Sequence, residues 1–184
     1  YSLFTNGANI ISLYRSTDFG IGWVNVDTDN ELSGGTGGFS WYFGQVRVHP
    51  TNPDMVYVLD VAFMRSSNSG TNWSENYQTH VDHHALTFNP INPNYAMNGN
   101  DGGINISTDG GFNWGSPANI PATQFYEIGL DANNSLAAYG GTQDNGTNRT
   151  TDGGLDNWEH IYGGDGFYVI VDFINSNIIY AESQ

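Results

Sequence analysis

An all-β fold of short strands in repeats is predicted by three observations. The first is a turn motif that recurs four times: Ser16–Trp23, Ser66–Trp73, Ser107–Trp114 and, one residue longer, Thr150–Trp158. Its pattern is a hydroxyl residue, a spacer, Asp or Asn (Asp18, Asn68, Asp109, Asp152), then Gly and finally Trp (Trp23, Trp73, Trp114, Trp158). The second is a strand end followed by an Asn turn, with Asn52, Asn92, Asn134 and Asn175 spaced by 40, 42 and 41 residues. Four strands and their turns fit that interval, which is the period of one propeller blade. The third is composition: 24 Gly, 14% aromatic residues and no long helix-favouring run, as expected of many short strands joined by tight turns.

Each part of the turn motif has a local function. The Asp or Asn side chain accepts hydrogen bonds from backbone N–H groups, Gly supplies positive φ, and Trp anchors the strand that follows. Within a repeat, alternation gives four strands, A to D. Strand A precedes the Asn turn (Phe43–His49, His84–Asn89). Strand B follows it (Met55–Leu59, Tyr95–Gly99, Leu136–Gly140, Ile178–Ala181). Strand C leads into the Asp or Asn turn (Ala62–Ser66, Gly103–Ser107), and strand D carries the Trp. The blade parts run over about 1–30, 40–77, 80–117, 121–161 and 164–184. The chain therefore reads as B-C-D, three full blades and A-B: an arc of about four and a half repeats of a larger ring. A symmetric dimer completing one ring and a small closed ring are the alternatives.

Composition also excludes functions. Four Arg and no Lys stand against 19 Asp and Glu, for a net charge of −15. Nucleic acid needs clustered cations and is not an expected partner. With no Cys there is neither a disulfide framework nor a thiolate metal site. No apolar run approaches the ~18 residues that span a bilayer. The acidity suits a solvated protein that is secreted or displayed at the cell surface.

The turn pattern resembles the Asp-box, or BNR, repeat of sialidases, sortilin-type VPS10 domains and family 74 xyloglucan hydrolases, all β-propellers. Asn100–Gly103, Gly141–Gly146 and Gly163–Gly166 are most similar to phrases of large secreted bacterial proteins with sortilin-like or family-74-like propellers. The box occurs in enzymes and non-enzymes alike, so the resemblance implies a fold and no activity. Sialidases grip a carboxylate with three arginines; here Arg15, Arg65 and Arg149 share one position before a box, which leaves only Arg47 elsewhere. A sialidase is therefore disfavoured. The resemblance also implies that ligands use the rim opposite the boxes.

Topology puts the B–C turns and D–A connections on that opposite rim. Asp60, Asp101, Gln143 and Asp144 lie there with His80, Asp82 and Asp165. Asp82, Asp101, Asp144 and Asp165 are the candidate catalytic carboxyls for glycoside hydrolysis, which needs two of them at defined spacing. Each is equally a turn former. Trp41, Tyr42 and Tyr126, with Gln143, are candidates for ligand binding, the aromatics as sugar platforms or else as inter-blade packing. If strand A began at His80, alternation would put His80, Asp82 and His84 on one face as ligands for a transition metal. Asp27, Asp29, Asn30 and Glu31, followed by Gly34–Gly38, form an oxygen-rich loop compatible with Ca²⁺. No cofactor is required by the sequence. The favoured function is a non-catalytic module recognising carbohydrate or protein, with the rest of its propeller or a second copy as structural partner. The alternative is a piece of a family-74-like glycoside hydrolase acting on a β-glucan.

Overall fold

A computed structural model describes residues 1–34, 37–116, 120 and 122–184. Gly35 and Thr36 of the oxygen-rich loop, and residues 117 and 121 that bound two expected blades, lie outside the described residues. The chain forms two compact units, Tyr1–Ala118 and Asn119–Gln184. It is all-β, built of antiparallel propeller-type blades.

The first unit holds three sheets. In chain order they are β1 (Ser2–Thr5), β2 (Ile10–Arg15) and β3 (Val24–Asn25); β4 (Gln45–His49), β5 (Asn52–Leu59), β6 (Phe63–Ser66) and β7 (Ser74–Asn76); and β8 (His83–Phe88), β9 (Ala96–Asn100) and β10 (Gly103–Ser107). Each sheet is ordered as a meander, with sequential strands paired. The cores lie between the sheets. Ile10 and Leu13 pack with Val56, Val58 and Met64 on one side of the second sheet. On its other side, Met55, Tyr57, Leu59 and Phe63 pack with Leu86, Ala96 and Trp114. That two-sided burial explains why β5 ends in the unbroken apolar run Met55–Leu59 instead of an alternating one.

The second unit holds one complete blade, β11 (Glu127–Asp131), β12 (Asn134–Thr142), β13 (Gly146–Thr150) and β14 (Glu159–Tyr162), and a pair, β15 (Gly166–Val171) with β16 (Ile179–Ser183). Ala137 and Tyr139 pack here against Val169 and Val171.

The repeated turns form as their chemistry dictates. Ser107 Oγ accepts from the Gly111 amide at 2.8 Å, and Asp109 accepts from the amides of Phe112 (3.0 Å) and Asn113 (2.9 Å). Asn68 accepts equally from the Asn72 amide at 2.9 Å, so Asn replaces Asp where only an acceptor is needed. In the longer fourth turn Asp152 accepts from the Gly154 amide and the Asn157 side chain. Gly111, at φ +90°, is fixed by its neighbour as well: a Cβ there would stand 2.9 Å from Tyr57 Cε1.

Two expectations are corrected. Trp23, Trp73 and Trp158 directly precede strands β3, β7 and β14 and do not lie within them. The indoles of Trp23 and Trp73 instead donate to the carbonyls of Gly20 and Gly70, closing their own turns at 3.0 Å. In the third sheet no strand D forms among the described residues, and a single Gly115 N–H to Ile106 bond stands in its place.

Candidate functional site

The B–C turns and D–A connections meet as the topology requires, because backbone bonds tie them together. In the first unit the amides of Asp82 and His83 donate to Val61 and Asp60 of the β5–β6 turn, both at 3.0 Å. The amides of Ser40 and Trp41 donate likewise to Ala8 and Gly7 of the β1–β2 turn. These bonds hold a short helix, α1 (Ser40–Phe43), immediately before strand A of the second blade.

Trp41 and Tyr42 stand on α1 and are 68% and 60% exposed. Their rings lie 5.6 Å apart, and Tyr42 meets the His84 imidazole edge-on at 5.8 Å. Phe43, buried beneath them, also touches His84 at 5.1 Å. His84 Nε2 is 2.6 Å from the Asp101 carboxylate in the β9–β10 turn. A carboxylate oxygen of Asp82 lies within 4.8 Å of one of Asp101. Gly102 completes that turn beneath His80, whose Cβ would be 2.5 Å from any Cβ at this position. Aromatic platform, imidazole and two carboxylates thus share one rim of the first unit.

Behind Asp82 stands Asp60, 1% exposed. Burial, reinforced by the charge of Asp82, raises its pKa against the opposing effect of Ser40 and of the Val61 amide. Asp60 Oδ1 accepts from that amide at 2.8 Å. Asp60 Oδ2 and Ser40 Oγ are both buried, and Ser40 is the hydroxyl that faces the Asp60 carboxyl.

The metal triplet His80, Asp82 and His84 does not share a strand face. Strand β8 begins at His83, and Asp82 precedes it at φ +64°, which ends the alternation there. His80 Nδ1 sits 3.1 Å from the Val81 carbonyl. His83, directed inward, is 1% exposed and bonded to Asn98 at 2.9 Å; burial pushes its pKa down to about 4. In the oxygen-rich loop, Asp27 accepts from the Glu31 amide, and Glu31 from the Trp73 amide at 2.6 Å. The three arginines of one register are structural as well. Arg15 and Arg149 pair with Asp54 (3.9 Å) and Glu159 (2.8 Å), and Arg65 covers the Phe112 ring at 4.1 Å.

The second unit assembles a corresponding rim. Tyr126, 43% exposed, stacks on Phe167 at 5.0 Å and bonds through its hydroxyl to Gln143. Asp165 accepts from the Asp144 amide at 2.7 Å. Gln143 and Tyr126 are therefore brought together, and so are Asp144 and Asp165. Sequence reasoning missed Ser40 and Phe167. No motif marks Ser40, while Phe167 follows Asp165-Gly166 in the predicted D–A connection and was open to discovery there.

No family model matches the chain, and no curated protein matches it. Solved structures do. An ancestral GH74 enzyme is 20% identical with a TM-score of 0.46, over 90% of this chain and 23% of that one. The GH74 enzyme of Niastella koreensis is 17% identical with a TM-score of 0.43, over 91% and 29%. YCF48 from Cyanidioschyzon merolae is 13% identical with a TM-score of 0.40, over 90% and 58%. The chain spans about a quarter of the length of the two GH74 enzymes. Among the described residues no helix is long and apolar enough to cross a membrane.

Proposed function

We propose that this chain is a carbohydrate-recognising propeller module, an Asp-box arc of a secreted or cell-surface protein. One observation carries the reading: two exposed aromatic rings, Trp41 and Tyr42, stand side by side, and Tyr42 abuts a fixed polar pair, His84 and Asp101. A sugar ring presents apolar C–H faces that stack on aromatic surface and an equatorial fringe of hydroxyls that bond to oriented polar groups, so the combination suits a glycan. Tyr126 with Gln143 offers the same combination in the second unit. Affinity electrophoresis in gels containing soluble β-glucans tests this directly. Retarded migration that is lost in Trp41→Ala and Tyr42→Ala is expected. Migration equal to the glycan-free control in every β-glucan gel would refute the reading.

A second reading, a fragment of a xyloglucanase-like glycoside hydrolase, is favoured by the approach of Asp82 and Asp101. Retaining hydrolysis uses carboxyl groups about 5 Å apart, one as acid and one as nucleophile. Release of reducing sugar from xyloglucan, abolished in both Asp82→Asn and Asp101→Asn, distinguishes hydrolysis from binding alone.

A further inference from the structure

The last sheet of the second unit is apolar on both faces and covered on one. Its strands run as Tyr168-Val169-Ile170-Val171 and Ile178-Ile179-Tyr180-Ala181. Such unbroken runs belong to strands buried on both sides, as Met55–Leu59 is. Val169, Val171 and Ile179 pack against Ala137 and Tyr139. Ile170 and Tyr180, paired across the sheet, alternate to the other side with Tyr168 and Ile178, and both are 62% exposed. Glu182 stands at the margin of this face. The repeat itself indicates what covers it. Met55 and Tyr57 follow Asn52 by three and five residues, Ala137 and Tyr139 follow Asn134 likewise, and both pairs pack against the next sheet. Ile178 and Tyr180 hold the same two places after Asn175.

The first sheet of the first unit carries the opposite half of such a contact. Leu13, five residues before Asp18, matches Phe63 before Asn68, and each packs toward the sheet that follows. Tyr14 then matches Met64, which packs toward the sheet that precedes its own. The Tyr14 side of the first sheet is open among the described residues. There the half-exposed Phe4 ring meets Tyr14 edge-on at 5.3 Å, beside the small Ser2 and Ser12. We propose that a second copy of this chain fills both faces: the Tyr168, Ile170, Ile178 and Tyr180 face of one copy packs on the Phe4 and Tyr14 face of another, as one more contact between blades. The occupant is a copy of the chain because the places on each side are those that already meet inside it, apolar against apolar. The contact joins two different faces and is heterologous. It does not depend on the carbohydrate reading.

The test is sedimentation velocity of the whole chain at up to ~100 μM. Salt at about 0.15 M screens the repulsion between copies of charge −15. Species of twice the monomer mass or more are expected. Phe4→Asp and Tyr180→Asp each put a charge into the apolar contact, and each alone should weaken association about tenfold or more. Both side chains are exposed, so neither substitution opens the core. Because the contact uses a different face on each copy, an equimolar mixture of the two variants retains one unaltered pair of faces and should recover a two-copy species. A parent chain that sediments as a monomer throughout overturns the inference. Association undiminished in either variant overturns it as well, since one face would then be pairing with its own counterpart or with something else. A mixture no more associated than its components does the same.

Discussion

The buried histidine of β8 gives a stability prediction whose size follows from its surroundings. His83 lies against Phe63 at 5.1 Å, and its Nδ1 is bonded to Asn98 Oδ1. Asn98 Oδ1 also accepts from Asn100, Asn100 donates to Asn105, and Asn105 donates to the Gly115 carbonyl at 2.8 Å. The ring is buried at the head of this amide chain, and a second proton would place a cation against Phe63. Burial pushes its pKa from 6.5 down to about 4. The unfolded chain therefore binds the proton more readily than the native one, and stability falls as pH drops from 6.5 toward 4. At ~1.4 kcal/mol per pH unit that interval makes about 3 kcal/mol. The Asn98 bond and Asp101 oppose the effect, and His80 and His84 reinforce it.

Urea denaturation between pH 7.5 and 4.5, read by tryptophan fluorescence, measures this slope. His83→Gln replaces the titrating ring with an amide that still reaches toward Asn98. It should lower stability at pH 7.5 through lost packing, yet flatten the loss of stability below pH 6.5. A His83→Gln protein that loses stability with acid as steeply as the parent would show that the imidazole is not the group responsible.

Three further outcomes follow from the same geometry. Gly111→Ala combines positive φ with a Cβ 2.9 Å from the Tyr57 ring, so thermal unfolding should register a loss of about 2–4 kcal/mol. Asp109→Asn should be nearly neutral and Asp109→Ala should cost about 1–2 kcal/mol in a urea titration, because the turn needs an acceptor and not a charge, as Asn68 shows. Asp60→Asn removes a buried carboxyl with a raised pKa. That group favours the native state at low pH and the favour is lost as pH rises through the native pKa, so the variant should gain stability over the parent at pH 8 and not at pH 4, measured by urea titration.

What was legible in the sequence was what short-range chemistry decides. The Ser-x-Asp-x-Gly turn makes its hydrogen bonds within a few residues, so its repetition marked the repeats, while the Asn turns set the blade period and the alternation located strands A to C. Strand A of the third blade falls within a residue of its expected place, but the alternative start at His80 fails for an equally local reason that pattern does not show. Alternation across His80–His84 presumes extended backbone, whereas Asp82 takes a left-handed conformation and His83 turns inward. The helix at Ser40–Phe43 is a single turn, too short for a helical period to appear. The contacts that make the site come from other blades: Tyr42 meets His84, and Asp60 is covered by the segment that enters the next strand. Only the topological sorting of loops onto two rims anticipated any of that.

The same sorting supplies the comparison that one sequence otherwise lacks, because the repeats can be set against each other. At the C–D position the four turns keep one chemistry, down to an Asn that replaces an Asp without altering the bonds it accepts. At the B–C position they diverge: Asn6 to Asn9, then Asp60 to Ala62, Asp101-Gly102, and Gln143 to Asn145. A turn selected only to reverse the chain has no reason to change from blade to blade, since the strands it joins are alike. The divergence therefore marks the rim on which each blade contributes something different. That is where the aromatic helix, the His84–Asp101 pair and the buried Asp60 are found.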